Sequence, residues 1–223
     1  MTAPTLDVTD KAAVASFIRA NTCLLAPPLV PEITLHLAAE SVPIWQKTEE
    51  ELGEMNIPPP YWAFAWAGGQ ALARYLLDNP HVCRGRTVLD LGTGSGMTGI
   101  AAAMTGAASV LAADIDILAL CAAEMNAAAN NVRLDVTGED QLGAAPGPFA
   151  VILVGDLFYE RTLAERVVTY VEAAKVAGAS IYIGDPQRGY FPKGRFTALA
   201  EYKVPVTREL EDSEIKRTAV WTL

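Results

Sequence analysis

Val88-Leu89-Asp90-Leu91-Gly92-Thr93-Gly94-Ser95-Gly96-Met97-Thr98-Gly99-Ile100 decides the fold class. Four apolar or strand-compatible residues lead into a glycine-dense turn, and a helix starts behind it. Glycine tolerates positive φ and lets a ligand approach bare backbone. The following helix aims unpaired N–H groups at the turn. A nucleotide-like ligand is the expected occupant.

Outward from this turn the pattern alternates. Strands are expected at 87–91, 109–113, 132–137, 150–154 and 180–183. Helices are expected at 70–77, 98–104, 116–130 and 157–174. The run 150–154 is wholly apolar, as in a strand covered on both faces. Such alternation gives a mostly parallel sheet with right-handed crossovers and a ligand at the strands' carboxyl ends. Residues 194–202 are expected to be helical. Residues 203–207 and 215–223 are expected to form an antiparallel hairpin at the sheet edge. Upstream, Asp10 caps a helix over 11–19, and 33–37 is open between helix and strand. The expected division is a helical extension over 1–57 and a catalytic domain over 58–223.

The chain has 223 residues, 51% of them hydrophobic, and a net charge of −9. That balance disfavours a nucleic-acid groove, which needs clustered Lys and Arg. It suits a small-molecule enzyme or one with a basic protein partner. Three scattered cysteines and two histidines favour a reducing compartment, taken as cytoplasmic, and no metal site. Residues 1–10 lack the layout of a secretory signal, and no run reaches the ~18 apolar residues that span a bilayer. Glu49, Glu50, Glu51 and Glu54 are either a solvated face or a docking surface.

The turn fits two templates. Gly94-x-Gly96-x-x-Gly99 matches a dinucleotide fingerprint, and Asp90-x-Gly92-x-Gly94-x-Gly96 matches an S-adenosylmethionine motif. Asp114, twenty residues beyond Gly94, suits a ribose in either case. Asp90 tips the balance, since a carboxylate repels a pyrophosphate and attracts a cationic methionine moiety. Asp140 follows the third strand, where it can accept from an adenine amino group. The fourth strand ends in Gly155-Asp156-Leu157-Phe158-Tyr159, a carboxylate and a phenol at the ligand face. Asp156 could equally cap the next helix, and Tyr159 could simply pack.

These motifs resemble those of seven-β-strand class I methyltransferases, with their Rossmann-like α/β fold, helices on both sheet faces and an antiparallel C-terminal hairpin. Asp156-Leu157-Phe158-Tyr159 is similar to the Asp-x-x-Tyr signature of one group of lysine methyltransferases. The block 59–80, including Tyr61-Trp62-Ala63-Phe64-Ala65-Trp66, resembles the electron transfer flavoprotein β-subunit lysine methyltransferases, bacterial members among them. So do Ala113-Asp114-Ile115-Asp116, Gly184-Asp185-Pro186 and 190–195. Ala67 stands where animal members tend to have proline. The resemblance implies S-adenosylmethionine as cofactor and a protein lysine as acceptor. It implies Asp156 and Tyr159 as the residues that position the amine. Trp66, Asp90, Gly92, Gly94, Gly96, Asp114, Ile115 and Asp140 would hold the cofactor. Trp62, Phe64 and Phe158 would line the substrate channel, with core packing as the alternative for the tryptophans and Phe64. The rivals are a ribosomal-protein methyltransferase and, in another class, a nicotinamide-dependent oxidoreductase, which lacks an evident hydride-site partner.

Overall fold

The computed structural model describes residues 6–39, 53, 58–206 and 214–223. The acidic residues Glu49, Glu50, Glu51 and Glu54 lie outside them.

The core is a seven-stranded sheet in the order β5-β4-β3-β6-β7-β9-β8. Its strands are β3 (Thr87–Leu91), β4 (Ser109–Ala113), β5 (Asp135–Thr137), β6 (Val151–Gly155), β7 (Ser180–Asp185), β8 (Thr197–Pro205) and β9 (Ile215–Thr222). The five strands β3 to β7 are mutually parallel, and β9 runs antiparallel to both β7 and β8. The chain winds from β3 outward to β5, then returns to lay β6 on the other side of β3. That reversal opens a crevice at the carboxyl ends of β3 and β6, the place where open α/β sheets take ligands. The buried runs Val88–Leu91 and Val151–Val154 form its floor.

The helices are α1 (Lys11–Ala20), α2 (Ala67–Asp78), α3 (Met97–Met104), α4 (Ile117–Ala129) and α5 (Arg161–Val176). Asp10 caps α1 through the N–H groups of Ala12 and Ala13, and Asp116 caps α4 through that of Leu118. A short antiparallel pair, β1 (Cys23–Leu25) and β2 (Leu35–Leu37), settles 33–37 as partly strand. Asn126 and Asn130 of α4 fasten this hairpin. Their Oδ1 atoms accept from the backbone of His36 and Thr34 at 2.7 and 2.9 Å. Val14 and Ile18 of α1 share an apolar cluster with Trp62 and with Leu118 and Ala122 of α4.

Two local expectations are corrected. Residues 197–202, expected to be helical, are strand and run on into the strand expected from 203. Ala198, Leu199, Ala200 and Glu201 are good helix formers, but pairing with β9 overrides that preference. The helix expected from Leu157 begins at Arg161, capped by Glu160, whose carboxylate accepts from Thr162 and Leu163. Asp156 is therefore not its cap.

Small residues set how close α2 sits to the sheet. A Cβ on Gly68 would lie 2.2 Å from the Gly184 carbonyl oxygen, and a Cβ on Gly184 would lie 2.0 Å from the Gly68 carbonyl oxygen. Only glycine permits this approach, and it brings the N-terminus of α2 against the ends of β6 and β7.

Candidate active site

A cavity of about 410 Å³ opens at the crevice, within the range of pockets that enclose a nucleoside-sized ligand. One side is the glycine turn and the end of β4. Gly92 and Gly94 take φ of +64° and +52°. A Cβ on Gly94 would meet nothing nearer than Trp62 Cα at 3.9 Å, so this stretch of backbone faces open space. Asp114 anchors the turn, accepting from Gly94 N at 2.9 Å and Asp116 N at 3.0 Å. Burial pushes the Asp114 carboxyl above its ordinary value and that of Asp116 up to about 6. Lone pairs left on the Asp114 oxygens are available to hydroxyl donors. Trp62 is buried in the wall, and its Nε1–H has no acceptor among the described residues.

The other side is built on the corner after β6. Asp156 takes φ +58°, a left-handed conformation uncommon outside glycine. This sharp turn throws its carboxylate onto the start of α2. Oδ2 accepts from Gly69 N at 3.0 Å, where the helix's unpaired N–H groups favour a negative charge. Oδ1 accepts from Arg188 Nε at 2.8 Å and pairs with Nη2 at the same distance. Tyr159 lies beside it, half exposed, 5.5 Å from the Tyr61 ring. Burial, and then the nearby Tyr61 and Asp114, raise its phenol above the usual range. Trp66 donates Nε1–H to the Tyr61 carbonyl, and Phe64 packs edge-on against Trp66 at 5.8 Å. Tyr61, Phe64, Trp66 and Tyr159 thus give the cavity an aromatic wall.

Of the residues expected at the site, Trp62, Phe64, Trp66, Gly92, Gly94, Asp114, Ile115, Asp140, Asp156 and Tyr159 line this one cavity. Asp140 also accepts from Arg166 at 2.6 Å and from Leu142 N, so part of its capacity is already used. Asp90, Gly96 and Phe158 do not line the cavity. Asp90 is buried behind the turn. Its carboxylate accepts from the hydroxyls of Thr93 and Thr98 and from Gly99 N, so it shapes the loop from beneath. Burial raises its carboxyl above the usual range despite those bonds. Gly96 caps α3 at φ +82°, and a Cβ there would come 3.1 Å from Ala123, so it lets α3 pack close to α4. Phe158 is wholly buried against Phe191 and Phe196, where it locks the corner that carries Asp156.

Sequence reasoning missed Gly69, Arg188 and Asn126. Asn126 Nδ2–H donates to the Ser95 carbonyl and so braces the glycine turn from α4. The only local signal for Arg188 was its place just beyond the Gly184-Asp185-Pro186 motif.

The family model described as ribosomal protein L11 methyltransferase (PrmA) matches residues 70–170. The electron transfer flavoprotein beta subunit lysine methyltransferase of Xenopus laevis is 38% identical over 215 residues, 93% of this chain and 85% of that protein. The protein of the same name in Danio rerio is 37% identical over 215 residues, 93% of this chain and 82% of that protein. A ribosomal protein L11 methylase structure from Lactobacillus delbrueckii subsp. bulgaricus superposes with a TM-score of 0.50 at 23% identity, over 80% of this chain and 92% of that one. That superposition carries the fold. The level and extent of identity to the frog and fish proteins carry the family, and the dinucleotide reading of the turn gives way. The chain belongs to the electron transfer flavoprotein β-subunit lysine methyltransferase family, built on the class I methyltransferase fold.

Proposed function

We propose that this enzyme transfers methyl groups from S-adenosylmethionine to lysine side chains of an electron transfer flavoprotein β subunit. The observation that carries this reading is one cavity with two chemistries. A glycine turn and a ribose-suited carboxylate, Asp114, stand on one side. An acid–phenol pair, Asp156 and Tyr159, stands on the other behind an aromatic wall.

The residues present fit such a cofactor. The open backbone at Gly94, the spare lone pairs of Asp114 and the partnerless Trp62 Nε1–H offer a polar cradle inside a largely apolar pocket. Gly92, Gly94, Asp114, Ile115 and Asp140 would hold the nucleoside end, and Trp66 would flank the methionine end. When bound, the cofactor supplies an electrophilic methyl on a sulfur that leaves neutral, so no acid is needed at the leaving group.

The protein's part is alignment. Holding donor and acceptor in line can contribute ~7–11 kcal/mol in favourable cases. The Asp156 carboxylate accepts an amine N–H and orients the nitrogen lone pair; the Tyr159 oxygen accepts a second N–H. Both sit on a corner fixed by Gly69, Arg188 and the buried Phe158. Asp156 is not assigned the role of a base, because both its oxygens already hold hydrogen-bond partners. The amine's proton leaves to water. We take 1–57 as an extension to the catalytic domain; among its described residues, Val14 and Ile18 of α1 pack against Trp62 of the cavity wall. The scattered free cysteines, Cys23, Cys83 and Cys121, accord with a reducing, cytoplasmic setting. No helix among the described residues is long and apolar enough to cross a membrane.

The match of residues 70–170 to the L11 methyltransferase model favours one second reading, a ribosomal-protein acceptor. Labelled cofactor incubated with each purified protein separates the two. Label and stepwise methyl mass gains on lysines of the flavoprotein subunit are expected. Label on ribosomal protein alone rejects the flavoprotein assignment.

A further inference from the structure

The acceptor lysine must arrive without its proton, yet a lone carboxylate beside it would favour the charged ammonium. The structure holds an answer in a residue beyond β7. Arg188 N donates to Asp185 Oδ1 at 2.7 Å, which pins the turn after the strand. The Arg188 guanidinium then reaches back across the cavity wall. Nε and Nη2 both lie 2.8 Å from Asp156 Oδ1, and the guanidinium carbon sits 5.6 Å from the centre of the Trp66 ring. Its side chain is 17% exposed and that of Asp156 is 8% exposed, so water screens the pair weakly.

Resting on the functional reading above, we infer that Arg188 is a positioning residue that keeps the acceptor lysine deprotonated. Its ion pair cancels the pull of Asp156 on an ammonium and leaves the carboxylate as a neutralised N–H acceptor. A protonated lysine entering the channel would add a second cation beside the guanidinium, and the carboxylate it would meet there, Asp156, is already paired. A neutral amine meets no such penalty. An uncompensated carboxylate in contact would instead raise the amine's pKa, an effect of roughly 1–3 units for close unlike charges. The Trp66 ring face attracts the guanidinium, which helps keep Arg188 on Asp156. The other titratable groups on or against this wall are Asp185 beneath Arg188, Tyr61 and Tyr159 at the aromatic rim with Glu160 next to them, and Asp114, Asp116, Glu139 and Asp140 with its partner Arg166. Asp185 is fully buried and is raised to about 7, chiefly by burial and next by Asp156, so it titrates in the same range and needs its own control.

The test measures kcat at saturating flavoprotein β subunit, which reports ionisations in the enzyme–substrate complex, across roughly pH 6–10 with wild type, Arg188→Met, Arg188→Lys and Asp185→Asn. The acid limb of Arg188→Met is expected to move up by about one unit, so its deficit is about tenfold larger at the acid end than at the alkaline end. Arg188→Lys and Asp185→Asn are expected to keep the wild-type midpoint whatever their absolute rates. A uniform loss in Arg188→Met at every pH overturns the inference. So does a Lys variant that shifts as far as Met, which would make shape rather than charge the cause, or a limb that moves in Asp185→Asn. An inactive wild type overturns the functional reading and this inference with it, an outcome distinct from an active wild type whose Arg188→Met curve is merely parallel.

Discussion

Gly68→Ala is the sharpest probe of how the fold positions the site. An alanine Cβ there would lie 2.2 Å from the Gly184 carbonyl oxygen and 2.4 Å from Asp156 Oδ2. Ordinary contact between non-bonded heavy atoms is roughly 3.5 Å, so α2 or the ends of β6 and β7 must move by about 1 Å. The Gly184 oxygen cannot yield alone, because it accepts from Asp156 N at 3.0 Å. Overpacking costs about 1–3 kcal/mol, and a clash with sheet backbone belongs at the upper end. For a chain of this size each kcal/mol lowers Tm by about 2–4 °C, so a drop of about 6–12 °C is expected in a thermal scan. The same movement breaks the Gly69 N–Asp156 Oδ2 bond and misplaces the carboxylate, and a 1 Å error at a reacting centre can cost about 100-fold in rate. Gly189→Ala is the control. Its Cβ would meet nothing within 4 Å, so a change within about 0.5 kcal/mol is expected. A Gly68→Ala protein that melts within about 2 °C of wild type and keeps its methylation rate would refute the packing argument.

Asp114→Ala should weaken S-adenosylhomocysteine binding by about 10- to 100-fold, the worth of one or two hydrogen bonds to a charged group, as read by calorimetry; unchanged affinity would move the cofactor elsewhere. Asp156→Ala and Tyr159→Phe should lose lysine methylation, by mass spectrometry of the treated subunit, while product affinity stays near wild type; full methylation by both removes their role. Asp185→Asn should change stability with pH. The folded carboxyl titrates near 7 and the unfolded one near 3.9, so the stability the protonated acid confers is complete below the unfolded value and is lost as pH rises through 7. The asparagine variant should therefore match wild type near pH 4 and gain about 4 kcal/mol by pH 8 in denaturant unfolding. A gap that does not widen with pH contradicts the buried-acid argument.

Much of this was legible locally. The glycine turn, Asp114, Asp10 as a cap and the wholly apolar strand β6 follow from backbone freedom, short-range capping and burial on both faces, all of which act within a few residues of the chain. The Asp156–Tyr159 pair was legible for the same reason, because a strand end in an alternating pattern faces the ligand. The misread segments are those where a distant partner decides. Residues 197–202 carry helix-forming side chains and become strand because β9 offers unpaired backbone. Asp90 and Asp114 both end a strand, and only the packing of α3 turns one inward to Thr93, Thr98 and Gly99 while the other faces the cavity.

Sequence alone determined the class of fold, the place of the glycine cradle and the residue types at its mouth, since these depend on local periodicity and short motifs. Tertiary structure alone decided what each carboxylate touches. Gly69 and Arg188 lie 87 and 32 residues from Asp156 along the chain, and close packing of α2 and the turn after β7 brings both onto its oxygens. Charge compensation falls off with distance through space rather than along the chain, so no reading of the motif by itself could assign it.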